Sequence, residues 1–389
     1  MQIFSMQDES PRAQATTKGI NPDKPDRSQD LRQGKRIYWL DTARFIAIIA
    51  ITSTHALHRA FLGPAEGISA GENIFRGIIQ PFCRLGVPLF LMISGALLLN
   101  RRMENDSDIS RFYRHNLLSV FITSEIWFFI MFWFRTLGHA NDFLSHGMAY
   151  TLGRLAGTML FVNQETMDSM WYMPMILCIY MLIPWVNLAV HKVKVKYIAL
   201  PALIVIISSM IIPNINELIR ITGGKTNIHF ALQAGNLFSM YLVFVILGYY
   251  IRNGLLSHIP TVAVSLICAC SFIIICIYQT MRYSVYTAGD IKYNSVFITI
   301  TAAMVFELIR RKMAAMHSKG IEYISRISFG IYFVHILILT VLCRLPVMAG
   351  FGHIPKFFIY EILSIALSVI FIFLTSKSGI IRKYFYMIR

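Results

Sequence analysis

Ten long apolar stretches alternate with polar connections along the chain of 389 residues. A helix of about 20 predominantly apolar residues crosses the hydrocarbon core of a bilayer. The predicted spans cover residues 38–58, 77–99, 114–134, 171–190, 197–213, 235–251, 260–279, 294–310, 324–343 and 356–376. This pattern predicts an all-α, polytopic membrane helix bundle with about ten transmembrane helices.

Polar segments flank this membrane domain, which we place at residues 37–376. Residues 1–36 are polar and lack the apolar core of a signal peptide, so we expect a disordered cytoplasmic N-terminal tail. Residues 377–389 are expected to form a basic cytoplasmic C-terminal tail. Arginine and lysine are about twice as frequent in the connections assigned to the cytoplasm as in the opposite ones, which predicts that both termini are cytoplasmic.

The composition favours a membrane protein over a nucleic-acid-binding protein. Hydrophobic residues make up 56% of the chain and charged residues 14%, whereas soluble domains carry about 25% charged residues. The formal net charge of +16 comes from basic residues in short connections, which topology explains, so no nucleic-acid partner is expected. The six cysteines include no CxxC pair, so neither a metal site nor a disulfide framework is predicted.

The first span carries an arginine and a histidine, which are both costly inside a bilayer. Eleven steps of about 100° place Arg44 and His55 within about 20° of the same helix face, roughly 16 Å apart along the axis. The predicted orientation puts Arg44 toward the cytoplasm and His55 toward the outer side. Arg44 alone is explained as an interfacial anchor, and His55 alone as a hydrogen-bonded structural histidine. Their shared face favours a polar stripe that lines a cavity.

The second span runs in the opposite direction, so Arg84 is expected at a depth near His55. Arg84 could bind an anionic group, influence the protonation of His55, or simply pair with lipid headgroups. Pro88 and Ser94 lie further along the same span. They permit a kink and a close approach to another helix.

The third span begins with two arginines and contains a carboxylate near its middle. Arg111 and Arg114 lie at the predicted cytoplasmic edge, where guanidinium groups suit phosphates, although the positive-inside rule alone also explains them. Glu125 needs a partner or a proton inside the membrane. Glu307 and Glu361 lie near span ends and are expected to be structural.

Two later segments add aromatic and polar side chains. Trp171 and Tyr172 open the fourth span at the outer side, as interfacial aromatics or as a platform for a sugar ring. Ser328, Tyr332 and His335 share one face of the ninth span, as helix-packing contacts or as part of a site.

The longest outer connection covers residues 135–170, and its mildly apolar part, residues 147–162, suits an interfacial or re-entrant helix. It is either a lid over an outward vestibule or a passively packed connection.

Together these motifs resemble the acyltransferase 3 family of integral-membrane acyltransferases, over roughly residues 37–376. The resemblance rests on Arg44-x10-His55 after Asp41, the block Phe82 to Gly95, Arg111-x-x-Arg114, Trp171-Tyr172 and the block Ser328 to His335. It implies acyl transfer, most often of acetyl, from cytoplasmic acyl-coenzyme A to a hydroxyl of a surface polysaccharide or lipid-linked glycan. It also implies a multi-pass protein of the bacterial inner membrane, in contact with membrane lipids and without a tightly bound cofactor.

The residues then receive expected roles. His55 and Arg44 are assigned to catalysis, with His55 as a general base or as a transiently acylated nucleophile. Donor binding is assigned to Arg111, Arg114 and Arg84. Contact with the acceptor or the pore is assigned to Glu125, Trp171, Tyr172, Ser94, Tyr332 and His335. The sequence leaves the oligomeric state open.

The rival interpretation is a proton-coupled transporter of a glycan unit or a small anion, with Glu125 and a histidine as a proton relay. Against it, the sequence contains no inverted repeat and no pair of broken helices at matching positions.

Overall fold

A computed structural model describes residues 36–62, 67–138, 140–162, 170–222, 226–228, 240–285, 289–314 and 317–388. Within these ranges, the side chains of residues 140–145, 221, 284 and 285 are left out. The predicted tail, residues 1–36, therefore lies outside the described residues apart from Arg36.

The described ranges fold into fifteen α-helices and contain no β-strand. The helices are α1 (Tyr38–Ala60), α2 (Ala70–Cys83), α3 (Gly86–Leu98), α4 (Asp106–Phe112), α5 (Leu118–Gly138), α6 (Ala140–Met159), α7 (Tyr172–Lys192), α8 (Val195–Ile206), α9 (Ile212–Ile221), α10 (Met240–Arg252), α11 (Thr261–Val285), α12 (Val296–Lys312), α13 (Lys319–Leu342), α14 (His353–Thr375) and α15 (Gly379–Tyr384). Short π-helical segments, Tyr113–Leu117 and Ile207–Ile211, join α4 to α5 and α8 to α9.

Each predicted span overlaps at least one of these helices, and residues 235–239 of the sixth span lie outside the described ranges. Seven helical units in the described ranges are long and apolar enough to cross a membrane. They are Ala70–Leu98, Asp106–Gly138, Tyr172–Lys192, Val195–Arg220, Thr261–Tyr283, Lys319–Leu342 and His353–Thr375. The all-α, multi-pass membrane bundle is thereby confirmed. The number of ten crossings and the cytoplasmic position of the termini stay predictions.

Helix α1 lies inside the bundle and packs against α3, α13 and α14. Small residues on α1, including Ala43, Ala47 and Ala50, are fully buried, which allows the neighbouring backbones to approach closely. Helix α1 is therefore enclosed by its neighbours along this face.

Helices α3 and α10 approach each other even more closely. A Cβ atom at Gly95 would collide with the carbonyl group of Val245, and one at Gly248 would collide with the carbonyl group of Met92. Only glycine fits at these two positions, so they fix α3 against α10 and with it one wall of the central cavity.

The second span is broken between α2 and α3, at Arg84 and Leu85. Proline at position 88 has no N–H group to donate to the carbonyl of residue 84, and its ring clashes with that carbonyl. The kink that Pro88 predicts is therefore present, one turn before the proline itself. It places Arg84 at an irregular position beside α1, where the hydroxyl of Thr54 donates to the carbonyl of Cys83 at 3.4 Å.

The long outer connection is largely helical. Helix α6 contains a sharp break at Gly147, whose backbone angles are φ 76° and ψ 171°, and the expected helix of residues 147–162 corresponds to the part of α6 after this break. Helix α6 packs against α5. A role as a lid stays a prediction, and residues 163–169 lie outside the described ranges.

The C-terminal segment returns to the bundle. Thr123 and Trp127 of α5 donate hydrogen bonds to the carbonyl groups of Tyr384 and Phe385, at 2.7 and 2.9 Å, and Tyr386 is buried. This basic segment is thus anchored to α5 by its backbone.

Candidate active site

Arg44 is held by a small polar network between α1 and α13. Its Nη1 donates to the hydroxyl of Ser325 at 3.1 Å, and that hydroxyl donates to Asp41 Oδ1 at 2.6 Å. Arg44 and Asp41 also form an ion pair at 3.7 Å, with the Asp41 side chain only 8% exposed. Arg44 therefore faces the protein interior, as the sequence predicts, and Ser325 is a partner that the sequence did not reveal.

A central cavity of about 280 Å³ begins at Arg44. Polar side chains lie at its two ends: Arg44, Arg101 and Asn116 at the predicted cytoplasmic end, and Tyr172 and Tyr332 at the other. Between them the walls are mainly apolar, with the hydroxyl groups of Ser94, Tyr180 and Ser328 as polar exceptions. The remaining lining residues are Ile51, Phe90, Ile93, Leu97, Leu98, Val120, Met173, Ile176 and Phe329.

A basic vestibule of about 430 Å³ adjoins this cavity. Arg101 and Asn116 line both spaces, so the two are neighbours there. Arg102, Arg111 and His115 also line the vestibule. Three arginines and a histidine thus line the vestibule, together with Asp108, whose carboxylate pairs with Arg111 at 3.9 Å.

The structure separates the two arginines of the Arg111-x-x-Arg114 motif. Arg111 lines the basic vestibule, while Arg114 lines a different hollow of about 400 Å³ together with Asp106 and Tyr113. Both arginines were predicted to bind the donor, whereas Arg101 lies in the connection between the second and third predicted spans, whose basic residues were counted only for topology. Geometry instead groups Arg101 with Arg111.

Two histidines meet beyond the other end of the central cavity. The ring of His55 on α1 lies 5.3 Å from the ring of His335 on α13, measured between centroids. Tyr332 lies one turn before His335, at 6.3 Å between centroids, and its ring contacts that of Tyr172 at 5.9 Å. Tyr332 therefore lies between the cavity and the histidine pair.

Arg84 lies on the same side of the bundle as the histidines and is held from a distant part of the chain. Its Nη2 donates to Asp290 Oδ2 at 3.1 Å, and its guanidinium lies 4.9 Å from the ring centre of Tyr293. Asp290 also accepts a hydrogen bond from Tyr283 at 2.6 Å. Burial raises the pKa of the Tyr293 phenol above its ordinary value, so this ring is a neutral neighbour of Arg84. None of these contacts of Arg84 involves a residue that lines the basic vestibule, and donor binding by Arg84 stays a prediction.

Comparison with known proteins identifies the protein class. The family model described as an acyltransferase domain matches residues 37–375, which is nearly the whole chain. The chain belongs to the acyltransferase 3 family. It is therefore a membrane acyltransferase. No curated protein and no solved structure matches it.

An aromatic cluster borders Arg84 in this acyltransferase. The ring of Trp171 lies 5.8 Å from that of Tyr241 and 5.4 Å from that of Tyr293, between centroids. All three side chains are partly exposed. Trp171 also contacts Tyr172, so the cluster adjoins the predicted outer end of the central cavity.

Glu361 on α14 is a site neighbour whose contact with α1 the sequence did not predict. Its Oε1 accepts hydrogen bonds from Thr52 at 2.7 Å and from Ser53 at 3.0 Å, both just before His55 on α1. Ser53 and Glu361 are more than 300 positions apart in the sequence, so no local pattern could reveal the contact. The expected structural role of Glu361 is consistent with this pairing, which links α14 to the part of α1 that carries His55.

Glu125 lies on α5 and does not line the central cavity. Its Oε1 is buried and finds no hydrogen-bond partner in the described part of the chain. No group of three or more His, Cys, Asp or Glu side chains suited to a metal ion is present among the described residues. The predicted role of Glu125 in the acyltransferase stays a prediction.

Proposed function

We propose that this membrane acyltransferase moves an acyl group, most simply acetyl, from cytoplasmic acyl-coenzyme A to a hydroxyl of a surface or lipid-linked glycan, and that it works in a bacterial inner membrane. The observation that carries the proposal is the junction at Arg101 and Asn116. There the basic vestibule adjoins a mainly apolar cavity, which is also lined by Tyr332, one turn from His335.

This shape suits coenzyme A. Its phosphates are multiply charged, and guanidinium groups bind phosphate oxygens through strong charge-assisted hydrogen bonds. Arg101, Arg102 and Arg111 would hold them in the basic vestibule. The long uncharged pantetheine arm would then occupy the apolar cavity past Arg44, and the thioester would reach His55 when the Tyr332 side chain moves aside.

The chemistry follows from a neutral imidazole at His55. Its unprotonated ring nitrogen removes the proton from the acceptor hydroxyl, and the oxygen attacks the thioester carbonyl carbon. The carbon–sulfur bond breaks, the imidazolium returns its proton to the leaving thiolate, and the products are the glycan ester and free coenzyme A. In a second version His55 itself is acylated first and then passes the acyl group to the hydroxyl.

The acceptor would approach from the opposite side. Sugar rings present apolar faces and hydroxyl edges, which suit the partly exposed Trp171 cluster and the neighbouring Arg84–Asp290 pair. Tyr172 and Tyr332 would then lie between the bound sugar and the donor. This arrangement lets a cytoplasmic donor and an outer-leaflet acceptor react without either crossing the membrane.

The test is a comparison of surface glycans by mass spectrometry. Cells that express the wild-type protein, cells that lack the gene and cells with His55→Ala at matched protein level are compared. We expect an acyl mass increment on a glycan in the first cells and its loss in the other two. Identical glycans in all three would contradict the proposed function. Binding of acetyl-coenzyme A to the purified protein separates the enzyme from the rival transporter, which has no need to bind it.

A further inference from the structure

His335 is fixed in one tautomer by its own helix. Its Nδ1 lies 2.7 Å from the carbonyl oxygen of Ile331. A carbonyl oxygen only accepts hydrogen bonds, so Nδ1 must carry the proton and donate it. In the neutral imidazole the other nitrogen, Nε2, then carries a lone pair and can only accept.

The second nitrogen, Nε2, is a buried acceptor without a hydrogen-bond donor among the described residues. The His335 side chain is fully buried. A buried polar atom without a partner costs roughly 1–3 kcal/mol, and a buried charge without a partner costs more. The site therefore favours a neutral His335 whose Nε2 is able to accept a hydrogen bond.

His55 is the polar ring that lies against His335. Their centroids are 5.3 Å apart and their planes are tilted by 49°, a separation that allows a ring N–H of His55 to reach hydrogen-bonding distance from Nε2 when the two nitrogens face each other. His55 is only partly buried, and its ring has this freedom because no hydrogen bond within the described residues holds either of its nitrogens. The neighbouring hydroxyls of Thr52 and Ser53 are already directed to Glu361.

We propose that His335 is a positioning residue for His55. Nε2 of His335 accepts a hydrogen bond from one ring nitrogen of His55. The other nitrogen of His55 is thereby left unprotonated and directed toward the acceptor hydroxyl. The inference rests on the proposed function, because it specifies how His55 is prepared for proton removal or for acylation.

The roles of the two histidines differ in a way that kinetics can separate. His335 would not touch coenzyme A or the glycan, so its loss should lower kcat and leave donor binding unchanged. A merely structural His335 would instead affect folding stability and donor affinity along with turnover. Restoring only the acceptor atom should restore turnover if positioning is the function.

The experiment compares His335→Phe with His335→Gln in the purified full-length chain. Phenylalanine keeps a ring of similar size but has no acceptor, whereas the glutamine amide oxygen can accept near the position of Nε2. The donor is acetyl-coenzyme A, and the acceptor is the lipid-linked glycan fraction extracted from the source cells. Thermal unfolding and the Kd for coenzyme A are measured for each variant. His335→Met replaces His335→Phe if that variant does not fold.

We expect His335→Phe to lower kcat about 10- to 100-fold, which is less than the roughly 10²–10⁴-fold contribution of a complete general base. The Kd for coenzyme A should stay within about twofold, and His335→Gln should recover most of kcat. The proposal is overturned if the phenylalanine variant turns over like wild type, or if both variants fold, bind coenzyme A and are equally impaired. A wild-type protein without transfer activity would instead overturn the proposed function itself.

Discussion

Arg101 offers the sharpest test of the donor route, because it lines both the basic vestibule and the central cavity. Arg101→Ala removes one guanidinium at the junction through which coenzyme A would pass. Arg114→Ala is the matched control: it removes the same charge from the same end of the bundle, but from a separate hollow. The motif-based expectation is the opposite, since it assigns donor binding to Arg114 and not to Arg101.

The expected magnitude follows from the exposure of the vestibule. A hydrogen bond to a charged group contributes about 1.5–3 kcal/mol, and water and salt weaken exposed charge pairs. Arg101 is exposed, so the lower end applies. At about 1.4 kcal/mol for each factor of ten, the Kd for coenzyme A should rise roughly tenfold in Arg101→Ala and change less than about twofold in Arg114→Ala.

Isothermal titration of the purified protein with coenzyme A measures both values. Raising the salt concentration should reduce the difference between wild type and Arg101→Ala, because the lost interaction is ionic. Dephospho-coenzyme A, which lacks one phosphate, reports whether that phosphate reaches the vestibule. Unchanged affinity in Arg101→Ala together with a tenfold loss in Arg114→Ala would refute the donor route through the vestibule.

Three further predictions concern the walls of the site. Glu361→Ala leaves the buried Ser53 hydroxyl without its acceptor and should lower the free energy of unfolding by about 1–3 kcal/mol. Glu361→Gln keeps an acceptor oxygen and should lower it less. Equal thermal unfolding of the two variants would contradict this pairing. Gly95→Ala should strongly lower the melting temperature, because the added Cβ collides with the backbone of α10. Gly153→Ala should leave the melting temperature unchanged, because a Cβ there meets no atom within 4 Å. Equal melting temperatures of the two variants would refute the close packing. Trp171→Ala should raise the KM for the glycan acceptor several-fold without changing coenzyme A affinity, and a rise in the donor Kd instead would argue against an acceptor role.

The features that sequence reasoning predicted are those set by local periodicity. Apolar length located the membrane helices, because a bilayer imposes the same requirement on every span. Helical geometry placed Arg44 and His55 on one face, and the structure brings both side chains against α13, at Ser325 and His335. The missing N–H of Pro88 predicted the kink that positions Arg84.

The features that sequence reasoning missed depend on contacts between distant segments. Ser325 meets Asp41 across 284 positions, and Asp290 meets Arg84 across 206; no local pattern encodes either pair. Arg101 was interpreted as a topology charge because the positive-inside rule explains any cytoplasmic arginine equally well. A signal was present, since four arginines fall between residues 101 and 114. Only the folded arrangement of the turn after α3, of α4 and of the following π-helical segment shows which of them share a space.

The most direct test of the account is acyl transfer by His55→Ala. Purified wild-type and variant proteins at equal concentration receive labelled acetyl-coenzyme A and the extracted glycan fraction, and coenzyme A binding confirms that the variant is folded. The account predicts normal donor binding with transfer reduced about 100-fold or more, in line with the contribution of a general base. Transfer at the wild-type rate by the folded variant would contradict the central role of His55 in this acyltransferase.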